Sequence, residues 1–285
     1  MHPILFELPW LHFPIRSFGV MLALGFLLGS HLFLRLVTRD SQDRARDLER
    51  YGAIPMWILI GVVAGARLLY VVVEIARGSP TGEEYLSNPL SILAVWEGGL
   101  VMYGGFAGAM VGGMWCAKRH GLRVLHAADC GFVAGFFGQA VGRVGCLLVG
   151  DDYGSPVPEK WQHLPFPLTL RVPDPLPEHS LFGAENAGKL LWATQPMMSI
   201  KALIVALVCL WMLKRRRFEG QVALLGIAVY AALRFVVERF RGDSIRGVWF
   251  DGLLSTSQLI SLLTGSAALV LLVLLRKRRD TPRVA

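Results

Sequence analysis

Residues 139–156 read QAVGRVGCLLVGDDYGSP, and the first part of that stretch decides the fold. It begins inside a long, glycine-studded apolar run and ends in an acidic turn. Arg143 lies in the apolar part. A guanidinium does not lose its charge in a protein, and placing one inside a bilayer costs about 2.5–3.5 kcal/mol on insertion scales. An intramembrane Arg therefore reads as an anion or substrate site, and the rest of the chain must supply what offsets its cost.

The composition agrees with a bilayer setting. Of the 285 residues, 54% are hydrophobic and 18% charged, with a mean hydropathy of +0.49. A soluble domain would carry about 25% charged residues. Apolar runs fall at 18–37, 53–76, 98–117, 125–149, 195–213, 220–240 and 252–275, each near the length that crosses a ~30 Å hydrocarbon core as helix. The expectation is an all-α, polytopic membrane protein with seven transmembrane helices in one bundle domain over residues 1–285. Basic residues cluster in every second connection: Arg39, Arg44, Arg46 and Arg50; Lys118, Arg119 and Arg123; KRRR at 214–217; and Arg276, Lys277, Arg278, Arg279 and Arg283 in the tail. The positive-inside rule puts the N-terminus outside and the C-terminus in the cytoplasm. The net charge of +8 is thereby explained by topology, and no nucleic-acid partner is expected.

Two connections on the outer side are long, 77–97 and 150–194. The second is proline-rich from Pro156 to Pro177 and carries Trp161 and Trp192, so it reads as an ordered or interfacial arm and not as one helix. Trp10 and Trp96 read as interface anchors. The first 17 residues lack a basic segment ahead of an apolar run, which does not read as a cleavable signal peptide. The four cysteines, Cys116, Cys130, Cys146 and Cys209, lie in or beside apolar runs with no CxxC spacing, and no HExxH occurs. Neither a disulfide framework nor a metal or other cofactor is expected.

Depth and helical phase then sort the polar residues inside the runs. Arg143, about seven residues from the outer end of its run, lies roughly 10 Å below it. Arg67 and Glu74, Tyr103, and Arg234, Glu238, Arg239 and Arg241 also fall in the outer halves of their runs. Arg234, Glu238 and Arg241 are spaced i, i+4, i+7, with Tyr230 extending the stripe. Arg67, Tyr70 and Glu74 are spaced i, i+3, i+7, which also allows a structural Arg67–Glu74 pair. Gln139 and Arg143 are spaced i, i+4, with Cys146 beside them. A glycine stripe of Gly131, Gly135, Gly138, Gly142 and Gly145 accompanies them, and Gly105, Gly108 and Gly112 offer a match for close packing. The reading is a tight bundle with an arginine-rich site open to the outer leaflet. Arginine binds phosphate through two parallel hydrogen bonds, and a phosphate reached from within the bilayer belongs most naturally to a phospholipid. A transporter would want interrupted helices at mid-membrane in a repeated architecture; the sequence has neither.

At these residues the chain resembles the bacterial prolipoprotein diacylglyceryl transferases. GRVGCLLVGDDYG at 142–154 is similar to the family signature GRxGNFxNGExxG, VWEGGLVMYGGFAG at 95–108 to its EGG…(H/Y)GG segment, and RFVVERFR at 234–241 to its RFxxExxR element. PIRSFG at 14–19 and GARLLY at 65–70 also match in place. The resemblance implies an enzyme of the bacterial inner membrane, active towards the periplasm. It would take the diacylglyceryl group of phosphatidylglycerol, transfer it to the lipobox cysteine of a prolipoprotein, and release glycerol phosphate. Its partners would be those two substrates and the surrounding lipid.

By motif position, the resemblance makes Arg143 and Arg234 the phosphate-holding catalytic pair. Glu238 would orient Arg234, Arg241 would support the same face, and Tyr103 would stand beside the reacting centre. Gly104, Gly142, Asp151 and Arg67 are the remaining positions implied to bind substrate. The catalytic base stays unassigned. The departures thin the polar surround: Cys146 and Val149 stand where the signature has Asn, Asp151 where it has Glu, and Phe18 where a tyrosine is usual. The family's HPTQLYE segment reads QPMMSIK at 195–201, with Lys201 in place of Glu. These losses keep open a phospholipid-binding paralogue that is non-catalytic or of altered specificity.

Overall fold

The computed structural model describes residues 1–8, 13–242, 247–249 and 253–280; Trp10 and Arg283 lie outside them. The described residues form the helices α1 (Ser17–Val37), α2 (Arg44–Arg77), α3 (Pro80–Ser87), α4 (Met102–Arg119), α5 (Val124–Val149), α6 (Thr194–Leu213), α7 (Gln221–Val237) and α8 (Thr256–Asp280). Three antiparallel two-stranded ladders join them: β1 (Ile4–Leu8) with β2 (Phe13–Arg16), β3 (Thr169–Arg171) with β4 (Leu190–Trp192), and β5 (Val248–Trp249) with β6 (Leu254–Ser255). The described residues are mostly helical, consistent with an all-α polytopic membrane protein. The segments between helices satisfy part of their backbone groups by local strand pairing.

Among the described residues, six helices are long and apolar enough to cross a membrane: α1, α2, α5, α6, α7 with the turn that follows it, and α8 up to Arg276. The expected span at 98–117 is shorter than the sequence suggested. Gly98 and Gly99 adopt positive φ (90° and 67°), so helix begins only at Met102, and the glycines of α4 dilute its apolar character. The basic segment 38–52, expected as a loop, is instead largely the first turns of α2. Asp43 caps that helix by accepting a hydrogen bond from the Arg46 amide at 3.1 Å. At its other end Gly78 takes the left-handed conformation (φ 62°) and stops it.

The chain divides into two units, Leu34–Ala128 and the pair of segments Met1–Phe33 and Asp129–Ala285. In the first, α2 and α4 approach backbone to backbone. A Cβ on Gly61 would lie 2.1 Å from the Gly108 carbonyl oxygen, and one on Gly65 would lie 2.3 Å from that of Gly104. Within this unit the α4 glycines have α2 as their close-packing partner. Trp57 and Trp115 meet edge-to-face at 4.5 Å in the same interface.

In the second unit, Gly138 of α5 packs on the backbone of Gly25 in α1, and Gly145 on Phe18 and Met21. Gly131, Gly135 and Gly142 would have nothing within 4 Å of an added Cβ. Asp129 is wholly buried (0% exposed). Its carboxylate accepts from the amides of Gly220 and Ala223, both at 2.9 Å, and from Arg216 Nη1 at 2.8 Å, capping the start of α7. The 150–193 connection is folded around Val172, Phe182 and Leu191, with Tyr153, Leu170 and Leu176 against them.

The glycine geometry predicts two opposite outcomes. Gly108→Val forces a side chain into the α2 backbone, so it should cost more than the ~1–3 kcal/mol of ordinary overpacking. Gly131→Ala meets no neighbour and should be neutral to ~1 kcal/mol stabilising, because a mid-helix glycine loses backbone entropy. Thermal unfolding of both variants in detergent checks the pair.

Candidate functional site

The site is built at the outer end of α5, as the sequence reading orients that helix. Gly150 (φ 79°) closes α5, and its amide and that of Asp151 both bond the Cys146 carbonyl, at 2.9 and 3.0 Å. Asp152 then takes φ 53°, a left-handed value that few side chains other than Asn or Asp adopt readily. The result turns Asp152 back over the last turns of α5. One carboxylate oxygen, Oδ2, accepts from Arg143 Nη1, and the other, Oδ1, accepts from Arg241 Nη2. Arg143 Nη1 also lies 3.8 Å from Cys146 Sγ.

The turn is held from α6. Thr194 Oγ1 donates to the Asp152 carbonyl, and Gln195 Nε2 donates to the Asp151 carbonyl at 2.8 Å. Both side chains are fully buried. The same loop is tied to the segment after α7: Ser155 N donates to the Phe240 carbonyl at 2.9 Å, and Gly154 forms a bridge pair with Arg241.

Arg234, 7% exposed, sits one turn before Glu238 and meets its Oε2 at 2.9 Å. It also donates to Ser257 Oγ at 3.1 Å and to Met198 Sδ at 3.5 Å. Ser255 Oγ donates to the other Glu238 oxygen at 3.1 Å. Arg234 lies within the electrostatic reach of both Arg143 and Arg241, and Tyr230 is close to Arg143 and Arg234 alike. Among the described residues, Asp152 and Glu238 brace these three guanidiniums, and the resulting arginine cluster is suited to an anion.

The sequence reading put the acidic role on Asp151. The structure puts Asp152 on the arginines, while Asp151 contributes its carbonyl to Gln195 and a carboxylate oxygen to the Asp152 amide at 2.8 Å. The signal was present in the acidic turn straight after a glycine that ends α5, which folds the following residues back towards Arg143. Burial works against ionisation of Asp152, but Arg143 and Arg241 outweigh it and hold its carboxyl below the ordinary carboxylate range. Asp151 moves the other way, raised first by desolvation and then by the neighbouring Asp152 charge. Cys146, Asp151 and Asp152 bring one donor atom each within 4.8 Å of one another. Asp152 already bears two guanidiniums, so a dication would add to a positive cluster, and these residues read as the end of the arginine network.

Tyr103, Gly104 and Arg67 belong to the Leu34–Ala128 unit. Arg67, 4% exposed, gives Nε to the Ile92 carbonyl (2.9 Å), Nη1 to Gly98 (2.8 Å) and Nη2 to Ser91 (2.9 Å), between the rings of Tyr70 and Tyr85. Those bonds fix the 91–98 connection, and a pair with Glu74 does not form. Glu74 accepts from Ser79 Oγ at 2.6 Å and lies 3.8 Å from Arg77. Gly104 packs closely on α2, where the Gly65 carbonyl would lie 2.2 Å from any Cβ built there. Tyr103 is 39% exposed in the first turn of α4. Gly142 faces open space beside Arg143.

These features define a multi-pass membrane protein with a buried, carboxylate-braced arginine cluster. Residues 3–274 match the family of prolipoprotein diacylglyceryl transferases. The chain belongs to that family. It is similar to the phosphatidylglycerol–prolipoprotein diacylglyceryl transferases of Clostridium tetani (31% identity, 93% of this chain and 94% of the relative) and Geobacter sulfurreducens (29%, 98% and 97%). It is also similar to that of Finegoldia magna (28%, 93% and 92%).

Asp152 gives a pH prediction. Its folded value lies below the unfolded value of about 3.9, so its ion pairs stabilise the fold fully above that pH and are lost as pH falls through the folded value. Asp152→Asn should cost on the order of 3 kcal/mol at neutral pH, because it leaves two guanidiniums without their carboxylate. It should also flatten the loss of thermal stability below about pH 4. Asp151→Asn should be neutral or mildly stabilising at neutral pH. Melting curves from pH 3 to 7 compare the three proteins.

Proposed function

We propose that this protein transfers the diacylglyceryl group of phosphatidylglycerol to the lipobox cysteine of a prolipoprotein, releasing glycerol phosphate. The observation that carries the reading is the braced arginine cluster of Arg143, Arg241 and Arg234, found in a chain of a family whose relatives bear that activity in their names. In the reaction the acceptor sulfur attacks the diacylglyceryl carbon. A carbon–oxygen bond breaks, and its electron pair stays on the departing phosphate. Donors already fixed where that charge develops stabilise it with little reorganisation.

In this reading Arg143 and Arg234 grip the phosphate through their planar forks, and Arg241 adds charge from the same face. Asp152 and Glu238 orient the guanidiniums. By its place in the family motif, Tyr103 hydrogen-bonds substrate. Arg67 acts at one remove, by fixing the 91–98 connection, and Gly142 leaves room beside Arg143. The chain crosses the bacterial inner membrane seven times, α4 included, with its N-terminus outside and its C-terminus in the cytoplasm. The 150–193 arm and the site then lie on the periplasmic side, where a secreted precursor arrives.

The direct test incubates the purified protein with phosphatidylglycerol vesicles and a lipobox peptide. The expected result is a mobility shift of the peptide with matching release of glycerol phosphate. Arg143-dependent lipid binding without turnover would instead assign a phospholipid-binding paralogue, the reading favoured by the polar positions missing at Cys146 and Val149. Arg143→Lys should lower turnover by about 10²-fold or more, since a point ammonium cannot replace the fork. Cys146→Asn should raise it, by returning an amide beside Arg143.

A further inference from the structure

The face of α6 that carries Thr194 and Met198 continues, at the i, i+4, i+7 spacing, to Lys201. The first of these holds the Asp152 loop and the second touches Arg234. Lys201 is therefore the next residue of the network into the membrane. It is 2% exposed, and its Nζ has no hydrogen-bond partner. The amine lies 3.8 Å from the centroid of the Tyr230 ring, which stacks at 5.5 Å on Phe136 of α5. The charged groups that act on it are Arg234 and Glu238 with Arg241 from the α7 side, and Arg143 from α5. Glu238 is engaged by Arg234 and Ser255, and Asp152 by Arg143 and Arg241. Among the described residues the amine has no hydrogen-bond partner, so an arriving anion would be its first direct one.

The proposed reaction brings two anions to this site, the lipid phosphate and the acceptor sulfur once it is a thiolate. The planar forks of the arginines match a phosphate, and a compact amine matches a single sulfur atom. We infer that Lys201 forms the ion pair with the acceptor thiolate, making it a catalytic residue for the nucleophile as the arginines are for the leaving group. The inference rests on the transferase reading. Whether the proton starts on sulfur or on nitrogen, the product is the same ammonium–thiolate pair. The sulfur then bonds to the diacylglyceryl carbon, the carbon–oxygen bond gives its electrons to the phosphate, and the thiol's proton ends on the glycerol phosphate or in water. A cationic partner lowers a thiol from about 8.5 into the range where thiolate is abundant at neutral pH.

The experiment uses the full chain in detergent with phosphatidylglycerol and a lipobox peptide. It follows transfer rate against pH for the wild type, Lys201→Met and Lys201→Arg, with phosphatidylglycerol binding measured alongside. Lys201→Met keeps the length of the side chain and removes the charge, so lipid binding should stay within about twofold and report a folded site. Its turnover at pH 7 should fall about 10²-fold, and its rate–pH midpoint should move up towards the free thiol near 8.5. The defect should therefore shrink in alkali. Lys201→Arg should restore most of the midpoint. Equal midpoints in wild type and Lys201→Met would overturn the assignment, as would lost lipid binding with an unmoved midpoint, which would hand Lys201 to the phosphate. Absence of transfer by the wild type at every pH would count against the transferase reading itself, and against Lys201 with it.

Discussion

One carboxylate serving two guanidiniums is the interaction on which the candidate site depends. Arg143 comes from an apolar helix, Arg241 from the turn after another, and Asp152 from the loop between α5 and α6. Each arginine alone is costly at membrane depth. Sharing Asp152 lowers that cost and holds two planar guanidinium forks at one place. Forks fixed side by side in this way match the oxygens of a phosphate. The surround is arranged to keep Asp152 in place: left-handed backbone at Gly150 and Asp152, and buried side chains of Thr194 and Gln195 on the two carbonyls of the turn.

The buried charges elsewhere are handled differently, and the contrast separates structure from chemistry. Arg67 directs its donors at three backbone carbonyls, neutral acceptors that fix one direction each. Asp129 is surrounded by two amides and one guanidinium at the start of α7. Both arrangements lock a connection between helices and leave nothing to exchange. Arg234 is intermediate: it has a carboxylate one turn away, but its other neighbours are a hydroxyl and a thioether, which are weak acceptors for a full charge.

What the sequence made legible follows from range. The apolar runs, the Arg234–Glu238 spacing and the exposure of Arg143 to a membrane cost are local properties of helix period and composition. The two glycine-rich helices were legible as close packers, but not their partner, because a small-residue stripe matches any similar stripe. The N-terminal extension of α2 was hidden by its charges, which resemble a loop until Asp43 is recognised as a cap. Asp152 was missed for a stricter reason. Its role needs a positive φ at a non-glycine residue and a partner 89 positions away, and neither is encoded in a helical or strand period.

The loop that supplies Asp152 is also sutured to the strand of chain that supplies Arg241. Ser155 bonds Phe240, Gly242 bonds Tyr153, and Trp192 bonds Ser155, so the first residues of the arm, the last of α7's extension and the approach to α6 form one hydrogen-bonded unit. Separating any of them would pull a guanidinium away from its carboxylate. The folded arm around Val172, Phe182 and Leu191 therefore stabilises the charge cluster mechanically as well as by covering backbone. A long proline-rich connection is a poor candidate for rigidity when read alone. Here its rigidity is borrowed from the site it holds, and the site's geometry is fixed by the arm in return.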